Sequence, residues 1–336
     1  MSQQTKNTMK LGAHGPEVFP LGLGCMGMSD LYGRSDEKEA IATIHAALDA
    51  GVTFLDTGDF YGMGANEMLV GRAIADRRAN VQVSVKFGAL RGPDGSWLGV
   101  DGRPAAVKSA AAYSLRRLGV EAIGVYRLAR LDPNVPIEDT VGAIAELVQA
   151  GYVRHVGLSE VGAETVRRAH AVHPIVDLQI EHSLLSRDPE TTIFPTLDEL
   201  GVSATLYGLL SRGLLTGSKP RGVTDFRAHL PRFQGEARER NEALVARFVA
   251  FAEERGATPA QLAVAYARAK LPHYLPLVGA RTRAQLAESL AGLALKLSAD
   301  DVATLERLVP ADEVVGTRYA APQMAHLDSE RATSGA

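Results

Sequence analysis

Residues 53–62 read TFLDTGDFYG, in which an apolar stretch gives way to a polar loop. The apolar part, VTFLD at 52–56, has the length and side chains of a buried strand. The preceding segment, 36–50, has helical periodicity, and Ser35 and Asp36 are suitable residues for its start. The stretch therefore predicts one unit of a helix, a strand and a loop that holds two acids and a phenol.

The same alternation of short apolar runs and helical segments recurs along most of the chain. Strands are predicted at 20–25, 52–56, 81–86, 123–128, 153–158, 175–180, 202–207 and 274–278. Helices are predicted near 36–50, 66–77, 104–118, 137–150, 162–172, 190–200, 236–255 and 282–291. Eight such units predict an α/β fold of the (β/α)8 TIM barrel type, in which functional residues collect where the strands end.

A doubly wound open sheet is the alternative, because counting units does not prove closure. The glycines after the first strand, in GLGCMGMSD at 22–30, lack the G-x-G-x-x-G spacing of the dinucleotide-binding open sheet. We therefore predict a single domain over 1–336 with an amino-terminal β-hairpin as a plug. Long loops at 87–103 and 211–235 are predicted to form the walls of a pocket, and the tail from about 311 to 336 is predicted to be mobile.

The composition of the 336 residues excludes several classes of protein. Lys and Arg total 36 against 39 Asp and Glu, a formal net charge of -3, so we expect neither a nucleic acid nor an anionic membrane as partner. No apolar run is long enough to span a bilayer. The single cysteine, Cys25, and the start MSQQTKNTMK predict a cytoplasmic protein. No His or acidic pair has metal-ligand spacing, so we expect no metal; the oligomeric state is open.

Three side chains are predicted to meet at the mouth of the barrel. Asp56 ends the second predicted strand, Lys86 ends the third, and Tyr61 lies in the loop after Asp56. A tyrosine can donate a proton to a carbonyl oxygen when a nearby cation stabilises its phenolate, and an acid can hold that cation. Spacing alone leaves open a second interpretation, in which Asp56 and Lys86 form a structural ion pair and Tyr61 only packs.

The string LDTGDFYG with the later SVK resembles the aldo-keto reductases, and further motifs match that family in order. These are GLGCMGM, SLRRLG at 114–119, LDPNVPIEDT at 131–140, GYVRHVGLSE at 151–160, DLQIEHSLLSRDPE at 177–190, LYGLLSRGLLTG at 206–217 and PLVGARTRAQLAESL at 276–290. The resemblance covers about residues 9 to 310. It implies a barrel that binds NADPH/NADP+ at its mouth and transfers hydride to an aldehyde or ketone, with Tyr61 as general acid and Asp56 and Lys86 as its tuners.

The resemblance also implies a set of cofactor-binding residues. Ser159, Glu160 and Gln179 would surround the nicotinamide carboxamide, and Tyr207 would stack on the ring. The remaining positions implied are Met26, Asp56, Gly208, Leu209, Ser211, Arg212, Gly279, Arg281, Thr282, Arg283, Gln285, Glu288 and Ser289. Independently of the family, the glycine, arginines and helix start at 279–283 favour an anion. The resemblance implies that this anion is the 2′-phosphate of NADPH. Exposed arginines at a helix start are the alternative.

The sequence departs from the family pattern at three positions. Glu160 and Ser289 stand where asparagine is usual. Ala129 stands where the family has a histidine that orients the substrate carbonyl, so one donor to the developing oxyanion is lost. Arg127, two residues earlier on the same strand face, is either a replacement or a core ion-pair partner. Trp97 and His182 complete the predicted substrate pocket, and Trp97 is equally a residue that anchors its loop.

The expected function is therefore NADPH-dependent reduction of a small carbonyl substrate, because the acid, the phenol and the amine are all present. The alternative is a regulatory or redox-sensing subunit that binds NADP(H) with little turnover, because Ala129 replaces the histidine. An isomerase or aldolase on the same barrel is a third possibility, and it would bind no NADPH.

Overall fold

The computed structural model describes residues 8–29, 35–220, 222 and 225–331. Within these ranges eight parallel strands close into a barrel. They are β1 Gly22–Gly24, β2 Phe54–Gly58, β3 Gln82–Phe87, β4 Ile123–Leu128, β5 Val153–Ser159, β6 Ile175–Glu181, β7 Ser203–Tyr207 and β8 Leu275–Gly279. Each pairs with the next in sequence, and β8 returns to β1 with Val278 opposite Leu23. The predicted closed barrel is confirmed, and the open sheet is wrong.

Helices lie between the strands. They are α1 Glu37–Asp49, α2 Ala65–Ala73, α3 Pro104–Leu118, α4 Ile137–Gln149, α5 Ala163–Val172, α6 Phe194–Leu200, α7 Gly235–Glu254, α8 Pro259–Lys270, α9 Arg283–Ala291 and α10 Ala299–Leu308. Short helical turns at Pro189–Thr192 and Ala321–Met324 complete this set among the residues that are described. Side-chain caps fix several of the starts: Asp36 accepts from the amides of Lys38 and Glu39 ahead of α1.

An amino-terminal hairpin, Met9–Lys10 with Glu17–Val18, closes the end of the barrel opposite the mouth. Leu11 and Val18 are fully buried there against Phe54 and Leu275, which point into the barrel. The outer sides of the strands pack on the helices in a separate and larger apolar cluster. The predicted plug is present, and it leaves the carboxyl ends of the strands as the open end.

Several element boundaries differ from the predictions. Strand β2 continues past Asp56, because Thr57 and Gly58 still pair with β3. Strand β3 continues past Lys86, because Phe87 pairs with Leu128. Helices α8 and α10 were not predicted, although Thr258 forms a capping box with Gln261 at the start of α8. The predicted helix 190–200 is interrupted at Ile193, where the turn Pro189–Thr192 ends and α6 starts.

The predicted long segments also contain more structure than expected. Within 87–103, Ala89–Arg91 and Trp97–Val100 form an antiparallel hairpin. The loop 211–235 contains 3₁₀ turns at Ser211–Thr216, Phe226–His229 and Pro231–Phe233, and its residues 221, 223 and 224 lie outside the described residues. In the described part of the tail, 311–331, Arg318 and Leu327 are buried, and the mobility of the tail stays a prediction. Residues 332–336 of that prediction lie outside the described ranges.

Candidate active site

The Asp56 carboxylate is the centre of a buried polar cluster inside the mouth. Its Oδ1 accepts a hydrogen bond from Lys86 Nζ, which forms an ion pair with it. Its Oδ2 accepts from Ser84 Oγ at 2.9 Å and from Gln179 Nε2 at 2.8 Å. Both charged side chains are almost fully buried. Because every oxygen of the carboxylate is held by a donor, the position of the lysine ammonium is fixed by strands β2, β3 and β6.

Tyr61 begins a 3₁₀ turn that directly follows β2. The Lys86 ammonium lies over its ring at 5.2 Å from the centroid, and Phe60 packs edge-on against the same ring. The chain is held close to β3 here, because the Asp59 amide donates to the Lys86 carbonyl oxygen at 2.8 Å. The structure therefore brings together Asp56, Tyr61 and Lys86, as the sequence predicts.

The protonation equilibrium of Lys86 is shifted by its surroundings. Burial lowers the pKa of Lys86, because the charged form loses its hydration. The charge of Asp56 opposes this change, whereas the charges of Arg127 and Arg130 lower the pKa further. An ammonium group whose pKa is lowered in this way, and which pairs with a single acid, can respond to a proton transfer from the neighbouring phenol.

The end of β4 supplies an arginine to the mouth, and it is not the one predicted. Arg127 is fully buried and pairs with Asp177 at 3.0 Å inside the barrel, so of the two predicted roles it has the core ion-pair role. Ala129 is buried next to β3, with its amide on the Phe87 carbonyl. Arg130 follows, half-buried, and donates to the Ala129 carbonyl oxygen at 2.6 Å. Burial lowers the pKa of Arg130, but the anionic forms of tyrosines including Tyr61 raise it overall.

The opposite side of the mouth, at the ends of β5 and β6, holds two buried carboxylates. Glu160 has a left-handed backbone with φ of 53°, which is uncommon for a residue other than glycine. Its Oε1 accepts from the Glu181 amide at 2.9 Å and from the Tyr207 hydroxyl at 2.7 Å. Arg318 of the tail donates to both Glu160 and Glu181, at 2.9 and 3.1 Å. Burial alone would raise the pKa of Glu160, but Arg318 holds it well below its usual range.

The predicted phosphate site lies where β8 leads into α9. Thr282 caps the helix by accepting from the Gln285 amide at 3.3 Å, and Gln285 Oε1 accepts from the Arg281 amide at 2.9 Å. Arg283 binds an acidic side chain of the protein, because its amide and Nη2 both donate to the Glu39 carboxylate at 3.0 Å. This helix start therefore binds an anion in the structure, and that anion is a side chain of α1.

The other predicted cofactor residues have mixed surroundings. Met26 begins a 3₁₀ turn after β1, and Ser159 is the buried last residue of β5.

In the turn after β7, Ser211 Oγ lies 2.8 Å from Ser183 Oγ, and Arg212 donates to Glu181 at 2.6 Å. Leu209 and Ser289 are buried, whereas Gly279 and Gln285 are exposed; Gly208 and Glu288 complete the list. Arg212 and Gln179 thus bind protein acids, which was not expected.

Two residues predicted to line the substrate pocket, His182 and Trp97, have contacts with other parts of the protein. His182 is fully buried with its Nε2 on Glu190 at 2.9 Å and its ring against Phe194, so it is a core residue. Trp97 sits on the hairpin at the rim, with its ring 6.1 Å from that of His326 in the tail and with Arg91 over it. The anchoring role given as one alternative for Trp97 fits these contacts.

The family is decided by comparison with known proteins. The family model described as "Aldo/keto reductase family" matches residues 20–310. The chain belongs to the aldo/keto reductase family. It is 41% identical over 330 residues to a protein named "Probable aldo-keto reductase 1" from Glycine max, a match that covers 95% of this chain and 93% of that protein.

Solved aldo/keto reductase structures have the same fold. The glycerol dehydrogenase AKR11B4 from Gluconobacter oxydans has a TM-score of 0.81 and 26% identity, with 99% of this chain and 100% of that chain covered. The holo form of aldo-keto reductase AKR11C1 from Bacillus halodurans has a TM-score of 0.68 and 27% identity, with 90% and 96% covered. This aldo/keto reductase is therefore an oxidoreductase, in a family whose members generally depend on a nicotinamide cofactor.

Sequence reasoning missed three side chains that this aldo/keto reductase places at the mouth. Ser84 could have been found, because it lies two residues before Lys86 and so on the same face of a strand. Arg130 directly follows the position of the absent histidine, but attention to strand alternation favoured Arg127. Arg318 gave no local signal, since its partner Glu160 is 158 residues away.

None of the helices in the described ranges combines the length and the apolar character that a membrane-spanning helix requires. In the same part of the chain, no three His, Cys, Asp or Glu side chains form a group suited to a metal ion.

Proposed function

We propose that this protein reduces an aldehyde or ketone to an alcohol with NADPH as the hydride source, and that Tyr61 is the general acid. The observation that carries the proposal is the placement of Lys86 against both Asp56 and the Tyr61 ring. A purely structural ion pair does not require contact with a half-exposed phenol at the open end of the barrel, where functional residues collect.

The residues at the mouth fit a dinucleotide that carries phosphate. At one end, the α9 start supplies backbone amides and the guanidiniums of Arg281 and Arg283, which are donors suited to a 2′-phosphate. The Glu39 carboxylate stands in for that anion on Arg283. At the other end, Gln179 lies against Asp56, and Ser159 and Tyr207, the last residues of β5 and β7, offer a hydroxyl and an aromatic ring. Because Arg281 and Arg283 suit a 2′-phosphate, we propose NADPH and not NADH as the cofactor.

The chain's own groups would carry the proton. The bound nicotinamide would supply a hydride to the carbonyl carbon. Tyr61 would donate its hydroxyl proton to the carbonyl oxygen, because Lys86 stabilises the phenolate that remains. Asp56, fixed by Ser84 and Gln179, would keep the ammonium in place during that transfer. Burial of both charges strengthens their effect on the phenol, since little water screens them.

Arg130 would compensate for the missing imidazole. It is the side chain at the end of β4 whose charge acts on Tyr61, and it is anchored by the Ala129 carbonyl. A guanidinium whose charge acts there would favour negative charge on the phenol and on the substrate oxygen alike. Ala129 itself would leave room for a bulky ketone.

The test is reduction of a panel of aldehydes and ketones, followed by nicotinamide absorbance, for the wild type and for Tyr61→Phe. We expect turnover by the wild type and a loss of about 10²- to 10⁴-fold in kcat for Tyr61→Phe with NADPH affinity retained. Tyr113→Phe, which changes an exposed tyrosine of α3, is the matched control and should not change kcat.

A second function is favoured by Ala129: an NADP(H)-binding regulatory or redox-sensing subunit. Tight NADPH binding by the wild type without turnover of any carbonyl in the panel would support that function and would contradict the reductase. Failure to bind NADPH at all would contradict both.

A further inference from the structure

The carboxylates of Glu160 and Glu181 form a buried acidic pair next to the proposed nicotinamide site, on which this inference rests. Ser159 directly precedes Glu160 in the chain, and Tyr207 donates its hydroxyl to Glu160 Oε1 at 2.7 Å. Both Ser159 and Tyr207 are proposed cofactor contacts. Any net charge on the acidic pair therefore acts on the part of the cofactor that changes charge during the reaction.

Arg318 is the side chain that neutralises this pair from the tail. Its Nη2 donates to Glu160 Oε2 at 2.9 Å and its Nη1 donates to Glu160 Oε1 at 3.2 Å and to Glu181 Oε2 at 3.1 Å. A third acid, Glu330, holds Arg318 Nη2 from behind at 2.5 Å. The guanidinium is buried, so these contacts are poorly screened by solvent.

The two acids do not depend equally on Arg318. Glu181 has a second cation, because Arg212 donates to it at 2.6 Å, and Arg232 also lies close enough to lower its pKa. Glu160 accepts guanidinium hydrogen bonds from both Nη1 and Nη2 of Arg318. Glu160 is therefore the acid that Arg318 controls.

Groups other than Arg318 also favour the ionised form of Glu160, against the burial that raises its pKa. Its carboxylate also accepts from the Glu181 amide, from the Tyr207 hydroxyl and from Ser329 Oγ at 2.7 Å. Several donors on one carboxylate favour the charged form, and the charge of Arg130 acts in the same direction. Removal of Arg318 would thus expose the cofactor site to a buried negative charge.

We propose that Arg318 is a positioning residue that sets the relative affinity for oxidised and reduced cofactor by neutralising Glu160 beside the nicotinamide. The oxidised nicotinamide ring carries a positive charge, and the reduced ring is neutral. With Arg318 present, the site offers little net negative charge and does not favour the oxidised ring. Without it, the Glu160 carboxylate attracts the oxidised ring and has no such effect on the reduced one.

The experiment measures the dissociation constants of NADP+ and NADPH by isothermal titration calorimetry for the full chain and three variants. For Arg318→Met we expect the ratio Kd(NADP+)/Kd(NADPH) to fall by about tenfold, and for Glu160→Gln we expect it to rise by about tenfold. The double variant should return toward the wild-type ratio. Arg331→Gln, which changes an exposed arginine of the same tail, is the matched control and should leave the ratio unchanged.

The opposite signs separate electrostatics from structure. If Arg318 only holds the tail in place, both single variants weaken both nucleotides and the ratio stays constant, which would overturn the inference while the proposed function stands. If Arg318→Met does not fold, Glu160→Gln and Arg318→Lys keep the test: the first must raise the ratio and the second must leave it near that of the wild type. A wild type that binds neither nucleotide overturns the proposed function and this inference together.

Discussion

The mouth of the barrel has two buried charged clusters, and they are built in different ways. The Asp56 cluster has one acid and one amine, with Ser84 and Gln179 completing the bonds of the acid. The Arg318 cluster sets Arg318 and Arg212 among Glu160, Glu181 and Glu330. All members of the first come from barrel strands, whereas the second depends on the tail and on the turn after β7.

The difference assigns separate tasks to the two clusters. A lysine ammonium is a compact charge whose pKa shifts readily on burial, and Lys86 lies against a phenol. An arginine stays charged, and its fork can bind two carboxylates at once, as Arg318 does. The first cluster is therefore suited to proton transfer, and the second is suited to a constant electrostatic field.

The largest expected effect comes from Lys86→Met, which tests the proton-transfer side of the comparison. Turnover of a carbonyl substrate should fall by about 10²- to 10⁴-fold, because the phenolate of Tyr61 loses its cation. The free energy of unfolding should also fall by about 3–5 kcal/mol, since Asp56 is left buried and unpaired. Steady-state kinetics and denaturant unfolding measure the two effects.

The control for that variant is Lys108→Met, which removes an exposed ion pair with Glu146 and should change neither quantity appreciably. Normal turnover by the Lys86→Met variant would contradict the proposal that the Asp56 cluster carries out proton transfer.

Arg130 lies between the two clusters, and its substitution shows to which it belongs. Arg130→Met should lower kcat/KM by about 10²-fold, because one cation that favours charge on the substrate oxygen is lost. Arg130→Lys should recover part of that loss. Unchanged kcat/KM with an altered ratio of NADP+ to NADPH affinity would instead assign Arg130 to the Arg318 cluster, since its charge also acts on Glu160.

An exposed ion pair extends the comparison to the rim. Glu39→Gln should strengthen NADPH binding by about two- to fivefold. In this variant the amide and guanidinium of Arg283 no longer bind a carboxylate and can bind the phosphate instead. Binding of NADH, which lacks the 2′-phosphate, should not change, and calorimetry with both nucleotides decides. Glu37→Gln, two residues away on the same helix and paired with Arg72, is the control. Equal gains for both nucleotides would contradict the phosphate assignment.

Asp59 shows what a partly buried acid does without a well-placed cation. Burial, with the nearby charge of Glu67, raises the pKa of Asp59 to about 7. Its Oδ1 has no hydrogen-bond partner among the described residues. Because the folded pKa lies above the unfolded value, the unfolded chain releases this proton first as pH rises. Stability should therefore decrease between about pH 4 and 7 through this group.

Asp59→Asn removes that dependence. The thermal midpoint of the wild type relative to the variant should fall from pH 5 to pH 8, as measured by circular dichroism. Glu239→Gln on the exposed face of α7 is the control and should show no such trend. A wild type that gains stability relative to Asp59→Asn over this range would reverse the sign of the argument.

The sequence predicted the parts of the molecule that have local signals. The strand at 52–56 and the periodic helices reveal the barrel, and Asp56, Lys86 and Tyr61 follow from strand ends that must share one mouth. Ser84 and Arg130 were within reach by the same reasoning. The partners of Glu160 were not, because nothing in a single sequence relates Arg318 to a strand end more than 150 residues earlier. His182 was misplaced because burial of a histidine leaves no periodic signal.

Barrel closure has a consequence for how the protein acquires its structure. The last pairing joins Leu277 to Gly22, and Leu11 packs against Leu275 across the same seam. Contacts of such long sequence separation form late, because the intervening chain must lose its freedom first. Until then β1 has an unpaired edge that can associate with another copy. Refolding yield should therefore depend on protein concentration, and dilution should favour the closed barrel over aggregates.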